Sequence, residues 1–272
     1  MKHTLFTLAI AGTLAVPALI SAQAPVPSAV VTLTRLDCGT GAPPSDVGRF
    51  SDTYALNGLK VQLTFSCYLV RHGDDYLVWD TGNPANGTPT APKVSLVDLL
   101  AQLQVKPAQV KYVGISHYHG DHTGQVSTLP QSTLLIGKGD WDVLTDPKSP
   151  VSPASFANWI TGGGKVEPQA GDKDVFGDGT VIMLNMPGHT PGHHSLLVRL
   201  KDMGPVLITG DLSHFHENYD GNGVPTFNTD RAASLASLDR FKKIAENLKA
   251  TVIIQHDVRD VGKLPAFPAA AK

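Results

Sequence analysis

Three imidazoles and a carboxylate fall within the six residues His117-Tyr118-His119-Gly120-Asp121-His122, directly behind the apolar run Tyr112 to Ile115. On a turn leaving a strand, the alternating His117 and His119 are expected to face one metal ion, while Asp121 and His122 reach a second beside it. Imidazole and carboxylate are donors that suit Zn, and also Mn, Fe or Co. A solvated polar loop can carry a single idle histidine, but it does not produce this spacing. The plan then repeats along the chain. Val181 to Asn185 runs into Met186-Pro187-Gly188-His189, Val206 to Ile208 into Thr209-Gly210-Asp211, and Val252 to Ile254 into Gln255-His256. Of the 11 histidines, all but His3 and His72 lie in or beside these four segments, unlike histidines scattered through a core. His193 and His194 follow in the turn after His189 and are expected to support the site rather than to ligate.

The first residues are read separately. Lys2 and His3 precede an almost unbroken apolar run from Leu5 to Ile20, too short to span a bilayer comfortably, and Ser21-Ala22-Gln23-Ala24 offers the small-x-small pattern of a signal peptidase site. Residues 1–24 are therefore expected to be a signal peptide, and 25–272 one exported domain, periplasmic or secreted, with no membrane anchor after cleavage. Without Lys2, 21 basic residues face 24 acidic ones, a formal charge of −3, and no basic stretch is long enough to follow a phosphate backbone. Nucleic acid is excluded as a partner on that ground, while homodimerisation is left open. With two cysteines, Cys38 and Cys67, the fold is no disulfide scaffold. Export would permit one bridge, but two separate buried thiols are expected.

Strand-like runs alternate with glycine-rich turns and a few amphipathic helices, which predicts an α/β sandwich. Leu59 to Val70 and Tyr76 to Trp79 read as a hairpin around residues 71–75. Leu96, Leu99, Leu100 and Leu103 repeat at helical spacing, with Pro107 beyond the helix end, and Asp230 to Lys249 reads as a longer amphipathic helix. The Pro/Gly-rich connector Asn83 to Lys93, with the Gly41 to Gly48 segment, is expected to cover the site and receive the substrate's apolar tail.

The ordered set of HxHxDH, a lone His, an Asp and a last His resembles the metallo-β-lactamase superfamily from about Val31 onward. The resemblance implies an αββα sandwich in which His117, His119 and His189 bind one divalent ion, Asp121, His122 and His256 a second, and Asp211 bridges. Such a bridging carboxylate is typically missing from true β-lactamases. The helical substrate domain of glyoxalase II and the exosite arm of RNase Z-type phosphodiesterases have no counterpart here. What remains resembles the N-acyl homoserine lactonases, through Leu36-Asp37-Cys38-Gly39, Ser66 to Val70, Asp80-Thr81-Gly82, Pro187 to His193 and Glu217-Asn218-Tyr219. This implies opening of a lactone ring by a hydroxide bridging two metal ions, with Asp121 passing a proton to the leaving alkoxide. An esterase, an organophosphate triesterase or a β-lactamase is the alternative. The family usually has a tyrosine three residues after the bridging aspartate; this chain has His214 there, expected to hold the substrate oxygen in its place.

Overall fold

The computed structural model describes Met1 and residues 29–41 and 43–272. Met1 aside, the expected signal peptide lies outside the described residues. Among these residues, no helix is long and apolar enough to cross a membrane.

Six strands form the first sheet: β1 (Val31–Gly39), β4 (Phe65–His72), β5 (Asp75–Trp79), β6 (Val110–Ile115), β7 (Thr133–Gly137) and β8 (Val166–Gln169), in that spatial order. The pairing is antiparallel through β5 and parallel from β5 to β8. A second sheet has the order β13 (Thr251–Ile253), β12 (Gly204–Ile208), β11 (His194–Leu200), β10 (Val181–Asn185), β9 (Lys173–Asp174). The expected hairpin forms, but β4 begins only at Phe65. Upstream of it, β3 (Lys60–Val61) turns away to pair with β2 (Ser45–Asp46) in a small ribbon.

Side chains alternate across each strand, and both faces of both sheets are used. In β7, Leu135 packs between the sheets with Leu77, Trp79, Met183 and Val206, while Leu134 and Ile136 point the other way. There they meet Leu99 and Leu100 of α1 (Leu96–Gln102) and Leu144 of α3 (Lys138–Thr145), beside Trp159 of α4 (Ala157–Ile160). In β12, Val206 and Ile208 face the first sheet, whereas Leu207 meets Leu238, Phe241 and Ala245 of α6 (Arg231–Leu248). The layers are therefore helix, sheet, sheet, helix. Asp230, whose side chain accepts from the Ala233 N–H, and Lys249, in left-handed conformation, close α6 at the two expected ends.

Cys38 and Cys67 correct the expectation of free thiols: they form a disulfide, with Cα atoms 5.7 Å apart. Leu36 pairs with Cys67 across β1 and β4, and Cys38, two residues on, points to the same face, so both sulfurs enter one buried layer. Alternation fixes the face each cysteine takes, but it does not announce which strand lies alongside, and the two are 29 residues apart in sequence.

Candidate metal centre

The strand ends expected to deliver ligands bring their side chains together at one rim of the sandwich. His117 and His119 lie in the turn after β6, and Asp121 and His122 on the single-turn α2 (Gly120–Thr123). His189 follows β10, Asp211 follows β12 and His256 follows β13. Gly210 makes the sharp exit from β12 with φ +57°, and a side chain on it would meet the His193 ring at 2.7 Å.

Two groups of donor atoms result, His117, His119, His189 and Asp211 in one, and Asp121, His122 and His256 in the other. In the first, His117 Nε2, His119 Nδ1 and His189 Nε2 form a triangle with sides of 2.9, 3.0 and 3.2 Å. In the second, His122 Nε2 and His256 Nε2 are 3.1 Å apart. Asp211 stands between the groups. Its Oδ2 lies 3.2 Å from His189 Nε2 and 3.5 Å from His117 Nε2, and its Oδ1 2.8 Å from His256 Nε2 and 3.1 Å from His122 Nε2.

This donor set fits divalent ions. Tetrahedral coordination at about 2.0–2.1 Å separates neighbouring ligand atoms by about 3.3 Å, close to the sides of the triangle. The buried Asp211 Oδ1 has no hydrogen-bond partner despite the nearby nitrogens, as expected of an atom placed for a cation. Four imidazoles also have their outer nitrogen engaged. His117 Nδ1 meets Ser116 Oγ, His122 Nδ1 the Asp80 carboxylate at 2.8 Å, His189 Nδ1 the Asn228 side-chain oxygen at 2.8 Å, and His256 Nδ1 the Thr64 carbonyl at 2.7 Å. Each of these contacts holds the proton on the outside and leaves a lone pair facing inward.

Burial holds the His117 imidazole well below its usual pKa and brings His119 to about 4, so both are neutral donors. For His122, burial is outweighed by the carboxylates of Asp211, Asp80 and Asp121, which raise it well above. That preference for positive charge is the same electrostatic demand a cation meets.

His193 supports the site and does not ligate. Its Nδ1 donates to the Met186 carbonyl, and its Nε2 accepts the Asp211 N–H at 2.9 Å, which fixes the backbone of Asp211. His194 lies between the Gly192 and Gly171 carbonyls, away from both groups. Sequence reading missed Asn228, which has no local motif, and the support given by Asp80, whose carboxylate also accepts from the Ser116 N–H, Ser116 Oγ and Gln255 Nε2.

His214 is buried beside the centre. Its Nε2 lies 3.0 Å from Asp211 Oδ2, and its ring meets Phe50 edge-on at 4.7 Å and stacks 5.7 Å from His256. Asn218, on α5 (His216–Asp220), accepts the His214 N–H and so ties this position to the Glu217-Asn218-Tyr219 segment.

A cavity of about 250 Å³ opens onto Asp121, Asp211, His214 and His256, and its outer wall is Arg49, Phe50, Leu63 and Phe227. The connector Asn83 to Lys93 lines none of it, contrary to expectation. The Asn83 N–H donates to the Cys38 carbonyl, and Thr40 bonds the carbonyls of Thr90 and Ala91, so the connector is laced to the end of β1. The Gly41 to Gly48 segment likewise contributes no wall residue; the Arg49–Phe50 turn just after it does.

The family model of the metallo-beta-lactamase superfamily matches residues 65–256. The chain belongs to this superfamily. It is similar to the N-acyl homoserine lactonase AttM of Rhizobium radiobacter, 29% identical over 74% of this chain and 84% of that protein. An N-acyl homoserine lactonase from a Bacillus species is 27% identical over 78% and 88%. Among solved superfamily structures, a quorum-quenching N-acyl homoserine lactone hydrolase superposes with TM-score 0.75 at 24% identity, over 89% of this chain and 99% of that one. The dizinc quorum-quenching lactonase AidC superposes with TM-score 0.65 at 16% identity, over 90% and 91%. These likenesses run through both sheets, so the αββα sandwich read from the signature is the fold of this chain.

Proposed function

We propose that the chain opens the lactone ring of N-acyl homoserine lactones, and thereby quenches quorum signals, with the seven residues His117, His119, Asp121, His122, His189, Asp211 and His256 holding two ions. The observation that carries this reading is the single carboxylate Asp211 presenting one oxygen to each ligand group at the floor of an aromatic-walled cavity. Similarity to lactonases over most of both chains supports it. Zinc is the proposed ion, since five imidazoles dominate the donor set. When bound, two such ions lower the pKa of water enough to supply hydroxide near neutral pH and polarise the ester carbonyl.

The protein residues do the rest. Asp121, half-buried at the cavity floor with its Oδ2 3.7 Å from His256 Nε2, orients the attacking water and returns its proton to the ring oxygen as the acyl C–O bond breaks. His214, which lines the same cavity, is assigned the role of hydrogen-bond donor to the carbonyl oxygen as it gains charge. The aromatic wall of Phe50 and Phe227, with Leu63, receives the acyl chain. One experiment tests this: the purified mature protein is given acyl homoserine lactones, an aryl ester, an aryl phosphotriester and a β-lactam, with elemental analysis alongside. The expected result is about two zinc ions per chain and kcat/KM highest on a lactone. A preference for the phosphotriester or the β-lactam, or a single ion in fully active protein, rejects the reading.

Export to the periplasm or medium is part of the proposal, supported by the leader pattern over residues 1–24 and by the Cys38–Cys67 bridge, a bond that persists in oxidising compartments. Recovery of the native protein from the cytosol with its first residues intact would refute it.

A further inference from the structure

We propose that Asp140 is a positioning residue that sets His117, His119 and His189 as one unit, and so governs one of the two ion positions and not the other. Asp140 lies in the first turn of α3 and is fully buried. Its carboxylate faces only donors. Oδ1 accepts the Gly192 N–H at 2.6 Å, and Oδ2 accepts the Tyr118 N–H at 3.1 Å and the Thr190 hydroxyl at 2.9 Å. Tyr118 sits between His117 and His119, and Thr190 directly follows His189. One carboxylate therefore joins a ligand turn of the first sheet to a ligand turn of the second.

The surrounding backbone is shaped for this contact from both sides. A side chain on Gly137 would fall 1.8 Å from the Gly192 carbonyl oxygen, and one on Gly192 would fall 2.4 Å from the Asp140 nitrogen. Only glycine lets α3 approach the second turn closely enough for the carboxylate to reach it. Burial pushes the Asp140 carboxyl up to about 6, opposed by its three hydrogen bonds. A buried carboxyl surrounded by three donors is retained for what it orders, since an apolar residue would not incur that desolvation.

None of its hydrogen bonds reaches Asp121, His122 or His256; His122 and His256 rest on Asp80 and on the Thr64 carbonyl. The effect of Asp140 is thus directed at one ion. In an Asn at this position, the amide nitrogen cannot accept, and a backbone N–H left facing it cannot turn away.

The inference rests on the two-ion reading above, and the test separates the two. Metal-free wild type and Asp140→Asn are titrated with Co²⁺, followed by visible absorption and equilibrium dialysis, with thermal melts of the metal-free proteins as a check on folding. Wild type should bind two ions. Asp140→Asn should bind one ion at wild-type affinity and the other about 10- to 100-fold more weakly, the loss typical when an outer partner of a ligand is removed. Thr190→Val, which deletes one donor at similar volume, should shift the same ion by a smaller factor, and it carries the test if Asp140→Asn does not fold. Equal weakening of both ions, or unchanged affinity in the folded variants, overturns the proposal. Fewer than two ions in wild type would instead bring down the two-ion reading, and this inference with it.

Discussion

His214 stands where the lactonase pattern has a tyrosine, and it is buried against Asp211 and Phe50. If it stabilises the developing oxyanion, His214→Ala should lower kcat by roughly 10- to 1000-fold, up to the loss expected for one such donor, with both ions retained. His214→Tyr should restore much of the rate. Steady-state kinetics with metal analysis decides this, and wild-type kcat in His214→Ala would reduce the residue to packing. At this scale the convergence of the seven candidate ligands was legible, because a strand followed by a tight turn fixes where the next side chain points. Their outer partners were not. Asn228 lies 39 residues from His189, and Thr64 lies 192 from His256, so only folding brings them together. Asp140 carries no motif at all; its role comes from donors on two turns that are remote from each other in sequence.

Among the elements, the regular ones were readable and the irregular ones were not. The 18-residue helix α6 announces itself through its periodicity and its Asp230 cap, and the apolar strands through their length between turns. The pairing of β1 with β4 that brings Cys38 to Cys67 left no trace in the pattern. The cavity wall escaped for a related reason. A Pro/Gly-rich composition marks a loop but does not say what the loop is bonded to, and the connector over residues 83–93 is held at the end of β1. The turn at Arg49–Phe50 and the loop carrying Phe227 form the wall instead, tied together where the Thr226 N–H donates to the Arg49 carbonyl at 2.9 Å. Phe227→Ala and Leu63→Ala should therefore alter the preference for acyl-chain length by roughly 5- to 150-fold in kcat/KM, about 1–3 kcal/mol of apolar contact per side chain, while metal content stays constant. Substitutions at the exposed tip of the 83–93 connector should leave that preference unchanged. The reverse result in a chain-length series would return the connector to the site.

Across the whole molecule, the seven candidate ligands divide between the sheets. His117, His119, Asp121 and His122 follow β6 of the first; His189, Asp211 and His256 follow strands of the second. Ions bound there tie the two layers together, and binding to the folded state alone stabilises it, by about 4 kcal/mol when free metal exceeds the dissociation constant a thousandfold. Removing metal with a chelator should lower the melting temperature by about 8–16 °C and re-addition should restore it; an unchanged melt would show that the ions contribute nothing to folding. The division has a further consequence. Neither half of the chain contains a complete set of donors, and the oxygens of Asp211 meet His117 and His122 only after β12 has docked against the first sheet. The centre is thus a coincidence detector for assembly. Any spectroscopic signal from a bound ion pair reports that residues 117 and 256, with the whole of the second sheet between them, have found each other, and a partly assembled chain stays silent.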